Sequence, residues 1–246
     1  MSGMFCYQCE QTAKGTGCTI AGVCGKEPRV AALLDLLIHA AKGISQYAHR
    51  ARQLGASDRR IDVFVIEALF TTVTNVNFDP ARLAEMLGRA AKIRDAARAL
   101  YEDASRRAGK EPESPPGPAE WSPAGGLDEL IRQGEQVTIA KRLEALGADT
   151  TGLQELLTYG LKGTAAYADH AQILGEEDDE VYSFFHEALD FLAGNPADTD
   201  ELLAMVLRCG EVNLKVMGML DAANTAAYGS PVPTPVRITP AAGKCI

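Results

Sequence analysis

The chain has 246 residues, is 46% hydrophobic and carries a net charge of −9, which is enough apolar material for one large or two modest folded units. No Lys/Arg cluster interleaved with aromatics occurs, so no nucleic-acid partner is expected, and apolar runs such as 30–41 are broken by Asp35 and His39, so no membrane span is expected either. The N-terminus lacks the basic and apolar regions of a signal peptide, and the expected compartment is the cytoplasm.

The first element is "MFCYQCEQTAKGTGCTIAGVCGK", residues 4–26, which holds four of the six cysteines. Cys6, Cys9, Cys18 and Cys24 form C-x2-C-x8-C-x5-C. Without an export signal, thiols this close are expected to converge on a metal centre rather than to pair as disulfides. Spacing alone does not choose between zinc and iron–sulfur, because an all-sulfur tetrahedral set serves both. Gly15, Gly17, Gly22 and Gly25 flank the later thiols and permit sharp turns that bring backbone N–H groups toward sulfur.

Helices follow. Val30, Leu33, Leu34, Leu37, Ile38, Ala41, Ile44, Ala48 and Ala51 step by three and four, with Pro28 in the first turn and Gly55 at the end. Ile61, Phe64, Val65, Ala68 and Leu69 predict a second helix, whose C-terminal end is blurred by the β-branched run 71–74. Asp79 and Pro80 read as the cap and first turn of a third, with a stripe from Leu83 to Leu100. The segment "GKEPESPPGPAEWSPAGG", 109–126, cannot continue a helix. Beyond it helices are expected over about 127–146, 151–174, 179–192 and 198–222.

Shifted by 120 positions, the two halves match. Leu37, Lys42, Gly43, Tyr47, Ala48, Ala51 and Gly55 fall on Leu157, Lys162, Gly163, Tyr167, Ala168, Ala171 and Gly175. The same shift places Glu67, Leu69, Leu83 and Leu87 on Glu187, Leu189, Leu203 and Leu207. The expected fold is all-α: two similar three-helix bundles preceded by a cysteine-rich iron–sulfur loop. In residues, this gives a cysteine segment 1–28, a first bundle 29–109, a linker 110–126, a second bundle 127–225 and an exit segment 226–246. Gly43 and Gly163, both mid-helix, are each expected to sit under a close neighbour.

The cysteine segment, "LLTYGLKGTAAYADHA" at 156–171, "RCGEVNLKVMGMLDAANTAAYGSPVPT" at 208–234 and the closing "GKCI" together resemble the first, helical domain of the hybrid-cluster proteins, also called prismane proteins or hydroxylamine reductases. The resemblance implies a [4Fe-4S] cluster on Cys6, Cys9, Cys18 and Cys24. It also implies that the chemistry, reduction of hydroxylamine to ammonia or of nitric oxide to nitrous oxide, occurs at a second, hybrid iron–sulfur–oxygen cluster held by two α/β domains that follow the helical one. On this reading the chain belongs to an oxidoreductase and relays electrons from an external donor such as a small redox protein, and it is not active alone. No catalytic residue is expected within it. Cys209 reads as a small buried residue, Cys245 as an apolar position of a coming strand, and His39, His49, His170 and His186 as surface or capping residues. The acidic run 175–180 reads as a solvated loop. The rival reading is a zinc-stabilised helical partner-binding protein without redox activity.

Overall fold

The computed structural model describes residues 4–236, and among them the chain is all-α. Helix α1 spans Pro28–Gln53, α2 Arg59–Thr71, α3 Pro80–Arg107, α4 Leu127–Glu135, α5 Ile139–Ile173, α6 Asp179–Ala193 and α7 Thr199–Tyr228. The starts of α2, α3, α6 and α7 share one device. Asp58, Asp79, Asp178 and Asp198 each accept a hydrogen bond from a backbone N–H of the first turn, a cap worth about 1 kcal/mol. Between the halves the expectation needs one correction: the helix expected over 127–146 is interrupted after Glu135 and resumes at Ile139, whereas the expected break between 146 and 151 is present at Gly147, inside α5. Gly134 and the β-branched pair Val137 and Thr138 weaken the helix at the interruption. A Cβ on Gly134 would stand 2.1 Å from the Ala32 carbonyl oxygen, so the glycine lets α4 lie directly against α1. Helix α5 then turns sharply at Gly147, where φ is +80°.

The repeat is present, with one change of register. Adding 120 to the ends of α1 and α2 reaches Ile173 and Phe191, at or near the ends of α5 and α6. Gly55 and Gly175 both end their helices at positive φ, as do Asn75 and Asn195 in the following loops. The next loop is one residue shorter in the second half, so the caps Asp79 and Asp198 differ by 119. Burial in the third helices follows that shift. Leu83, Ala90, Ala97 and Ala104 correspond to the buried Leu202, Cys209, Val216 and Ala223, whereas Leu203 and Leu207 are exposed. The pairing of Arg89 with Glu67 and Phe64 recurs as Arg208 with Glu187 and Phe184.

The two three-helix units interlock. Helix α1 packs on α3 of its own unit and on α6 of the other, while α5 packs on α7 and on α2. One continuous hydrophobic core therefore runs through both, including Leu36, Leu37, Phe64, Leu87, Leu157, Phe184 and Leu189. Helix α1 is buried on nearly every side, because α4 and the 3-10 turn Gly117–Glu120 of the linker cover the face that the bundle leaves open.

Candidate metal centre

The cysteine segment folds on itself before it meets the helices. Cys6 and Cys18 face each other as an antiparallel pair, with Cys6 N donating to the Cys18 carbonyl at 3.1 Å and Cys18 N to the Cys6 carbonyl at 2.8 Å. The chain between them reverses through the turn Ala13–Gly15, where Lys14 and Gly15 have φ of +56° and +69°. Thr12 ties this turn down by donating its hydroxyl to the Cys6 carbonyl at 3.0 Å. At Gly17 a Cβ would stand 2.6 Å from the Phe5 ring, so the glycine lets that ring lie against the backbone here. A second turn carries Cys24, closed by Gly22 N donating to the Lys26 carbonyl and Gly25 N to that of Gly22, both at 2.8 Å. A Cβ on Gly22 would come within 3.0 Å of the Cys24 sulfur, so this glycine makes room for the thiol.

Cys18 is 4% exposed, Cys6 and Cys9 are half-buried, and Cys24 lies at the surface. Backbone N–H groups of Val23 and Ala13 hold the Cys18 thiol below its ordinary pKa, and the Ala13 N to Cys18 Sγ distance is 3.4 Å. Such donors favour the thiolate, the form that binds metal. The segment docks through Met4 and Cys18 onto Ala31 of α1 and through the Tyr7 ring, edge-on to Tyr159 of α5 at 5.5 Å between centroids. All four thiols are free, and the donor set is sulfur alone. Among the described residues no three Cys, His, Asp or Glu side chains close to the separation of ligands on one ion. A four-iron cubane asks for less convergence, since each cysteine binds a different iron. The sulfur donors, the half-buried setting and the amide directed at Cys18 fit such a group.

Residues 4–246 match the model of the Prismane/CO dehydrogenase family. The chain belongs to this family. It is 58% identical over 243 residues to a protein of Rhodospirillum rubrum named hydroxylamine reductase, with 99% of this chain and 44% of that protein covered. Proteins of the same name from Acidithiobacillus ferrooxidans and Geobacter sulfurreducens are 50% and 49% identical, over 99% and 95% of this chain and 44% and 42% of their own lengths. The chain thus spans less than half the length of these prismane-family relatives. Among its described residues no helix is long and apolar enough to cross a membrane.

The remaining sequence candidates fall into place within this prismane-family helical array. Cys209 is buried on α7 against Gly160 of α5, and burial pushes its thiol up to about 11. Cys245 lies outside the described residues. His186 is not a surface residue, contrary to expectation. It is 0% exposed, with Nδ1 3.0 Å from Ser45 Oγ and Nε2 2.8 Å from Asp62 Oδ1, while the other Asp62 oxygen accepts from Arg52 at 2.8 Å. The Ser–His–Asp order resembles a nucleophile relay, but all three are sealed in the core, so the chain of bonds joins α1, α2 and α6 rather than meeting a substrate. One signal was available in the sequence: the repeat places His186 on Ile66, and a polar residue at a core position needs partners. The acidic loop is bound as well as solvated. Glu177 pairs with Arg59 and Asp179 with Arg52, both across the two units.

Proposed function

We propose that the chain is the iron–sulfur electron-transfer part of a hydroxylamine reductase-like protein, with a [4Fe-4S] cluster on Cys6, Cys9, Cys18 and Cys24. The observation that carries the proposal is identity of 58% to a hydroxylamine reductase along 99% of the chain, over a segment whose four free thiols form a sulfur-only donor set. A cubane with four cysteine ligands would supply one-electron exchange and leave no open coordination position. The residues around it have separable tasks. The Val23 and Ala13 amides stabilise negative charge on the Cys18 sulfur, Gly22 and Gly25 shape the turn that presents Cys24, and Met4 with Tyr7 fixes the segment to α1 and α5. The exposed side, Cys24 with Ile20 and Val23, is the face for an external electron donor.

Reduction of hydroxylamine itself belongs, on this proposal, to a hybrid cluster in α/β domains beyond this chain, toward which the exit segment 226–246 leads. Helix α7 supports that division. Leu203, Leu207, Leu214 and Met217 form an exposed apolar stripe, and the relatives carry more than half their length outside the matched region. The stripe is the docking face for that remaining length.

The test is anaerobic purification with metal, sulfide and visible spectra. A brown protein bleached by dithionite, with about four iron and four sulfide per chain, is the expected result, lost in Cys9→Ser and kept in Cys209→Ser. A colourless protein holding one zinc would overturn it in favour of the zinc reading. The chain alone is expected to give no hydroxylamine-dependent oxidation of reduced viologen.

A further inference from the structure

A cavity of about 270 Å³ lies between α1, α5, the loop that joins α4 to α5 and the end of α6 with the loop after it, and no cysteine lines it. Its walls carry Lys42 and Lys162, which occupy the same position in the two repeats. Lys162 is 6% exposed and Lys42 half-buried, and among the described residues neither lysine has a hydrogen-bonding or ion-pair partner; the Lys162 ammonium lies over the Tyr159 ring, 5.5 Å from its centroid. Largely buried lysine side chains that turn their ammonium groups into a cavity without a direct partner favour a negative group there.

The acids in the same walls, Glu155 and Asp35, act on the two lysines only through space, with no hydrogen bond or ion pair to either. Glu155 is committed to Arg142, which also donates to Gln154 at 2.9 Å. Asp35 forms no ion pair within 4.0 Å with either lysine, and burial pushes its carboxyl up to about 7. Lys42, pushed down to about 8 by burial and by the Arg142 charge, keeps most of its proton at neutral pH. His39, held down to about 4 by burial and by Lys42, adds no charge. The walls carry Lys42, Lys141, Arg142 and Lys162 against Asp35 and Glu155, more cations than acids. Apolar side chains of Ile38, Val137 and Leu192 form the rest of the lining.

We propose that this cavity binds a small oxyanion, a dianionic carboxylate or phosphate, held by Lys42 and Lys162 with its apolar part against Ile38, Val137 and Leu192. The size is suitable. A cavity of about 150 Å³ accepts benzene, so this one has room for phosphate or a four-carbon dicarboxylate.

Isothermal titration of the anaerobically purified protein with inorganic phosphate and, separately, with succinate tests the site. Chloride holds ionic strength constant, because phosphate stabilises proteins nonspecifically by exclusion from their surfaces. Saturable one-to-one binding of either probe is expected, weakened at least tenfold in Lys162→Met and in Lys42→Met and unchanged in Lys92→Met, an exposed lysine of α3 outside the cavity. Methionine removes an unpaired buried charge without emptying the space, so the variants should melt no lower than the parent, which separates lost binding from lost fold. Absence of saturable binding by both probes, or binding that survives Lys162→Met, would overturn the proposal. The same titration on Cys9→Ser protein should still show the site, which keeps its failure distinct from failure of the cluster assignment.

Discussion

The two repeats share a sequence pattern and differ in what covers them. In the first, Tyr47 is 4% exposed beside Tyr101, and Gly43 lies beneath the linker, where a Cβ would stand 2.2 Å from the Pro118 carbonyl oxygen. In the second, Tyr167 is 39% exposed and Gly163 has no heavy atom within 4 Å of a Cβ. The shared expectation for the two glycines holds for Gly43 and fails for Gly163. The third helices diverge in the opposite sense. Where α3 presents Ala84, Gly88, Asp95 and Arg98, α7 presents Leu203, Leu207, Leu214 and Met217 to solvent, with Leu207 63% and Leu214 72% exposed. The first unit is covered within the described chain, and the second leaves an apolar stripe of α7 exposed.

The largest expected effect breaks this comparison at the core. His186→Ala removes one partner from a buried bonded chain and leaves Asp62 Oδ1 and Ser45 Oγ without theirs, at a cost of about 3 kcal/mol. Ile66→Val at the equivalent position costs about 1 kcal/mol. Denaturant unfolding of both variants measures the difference. Next come the paired glycines. Gly43→Ala should destabilise by about 1–3 kcal/mol through the clash with the Pro118 carbonyl, while Gly163→Ala should stabilise by up to about 1 kcal/mol. Opposite shifts in melting temperature are the signature, and a loss of equal size in both would mean that the two faces are covered alike.

A pH effect sharpens the comparison at His39, whose repeat partner is Tyr159. Burial and Lys42 hold the His39 pKa down to about 4, so between about 6.5 and 4 the unfolded chain takes up a proton that the folded chain refuses. Its contribution to stability is present above pH 6.5 and is lost as pH falls toward 4. His39→Leu should flatten that part of the stability profile relative to the parent by about 1–3 kcal/mol. The smallest effect on stability belongs to the α7 stripe. Leu207→Glu with Leu214→Glu should leave melting within about 0.5 kcal/mol of the parent and reduce self-association in sedimentation velocity; unchanged association would remove the stripe from the docking face.

What was legible in the sequence was local or periodic. Asp79 before Pro80 marked a helix start, Gly55 an end, and the recurrence of Lys-Gly and Tyr-Ala pairs disclosed the repeat. Four cysteines in nineteen positions marked the candidate centre, because ligands adjacent in sequence need no fold to be seen together. The flanking glycines led to the expectation that amides approach sulfur, but the pairing of Cys6 with Cys18 and the choice of the Ala13 amide for the Cys18 sulfur were not legible, since they depend on φ values at Lys14 and Gly15. The single-residue change of register was hidden by leucines at successive positions: Leu202 and Leu203 both answer Leu83, and only burial selects the first. The Ser45–His186–Asp62 chain and the cavity of Lys42 and Lys162 join residues more than a hundred positions apart, beyond the reach of spacing arguments.

The interlocking of the two units has a consequence for how molecules meet one another. Because α1 rests on α6 and α5 on α2, the front half of the chain carries the surface that the back half needs, and the converse. A chain severed within 109–126 would yield two pieces that regain the structure only by recombining. Two intact chains folding side by side face the same choice, and the front of one can close on the back of the other to form an exchanged dimer in which every contact between the halves is native. Protein concentration during folding, rather than any new interface, then decides between monomer and exchanged pair.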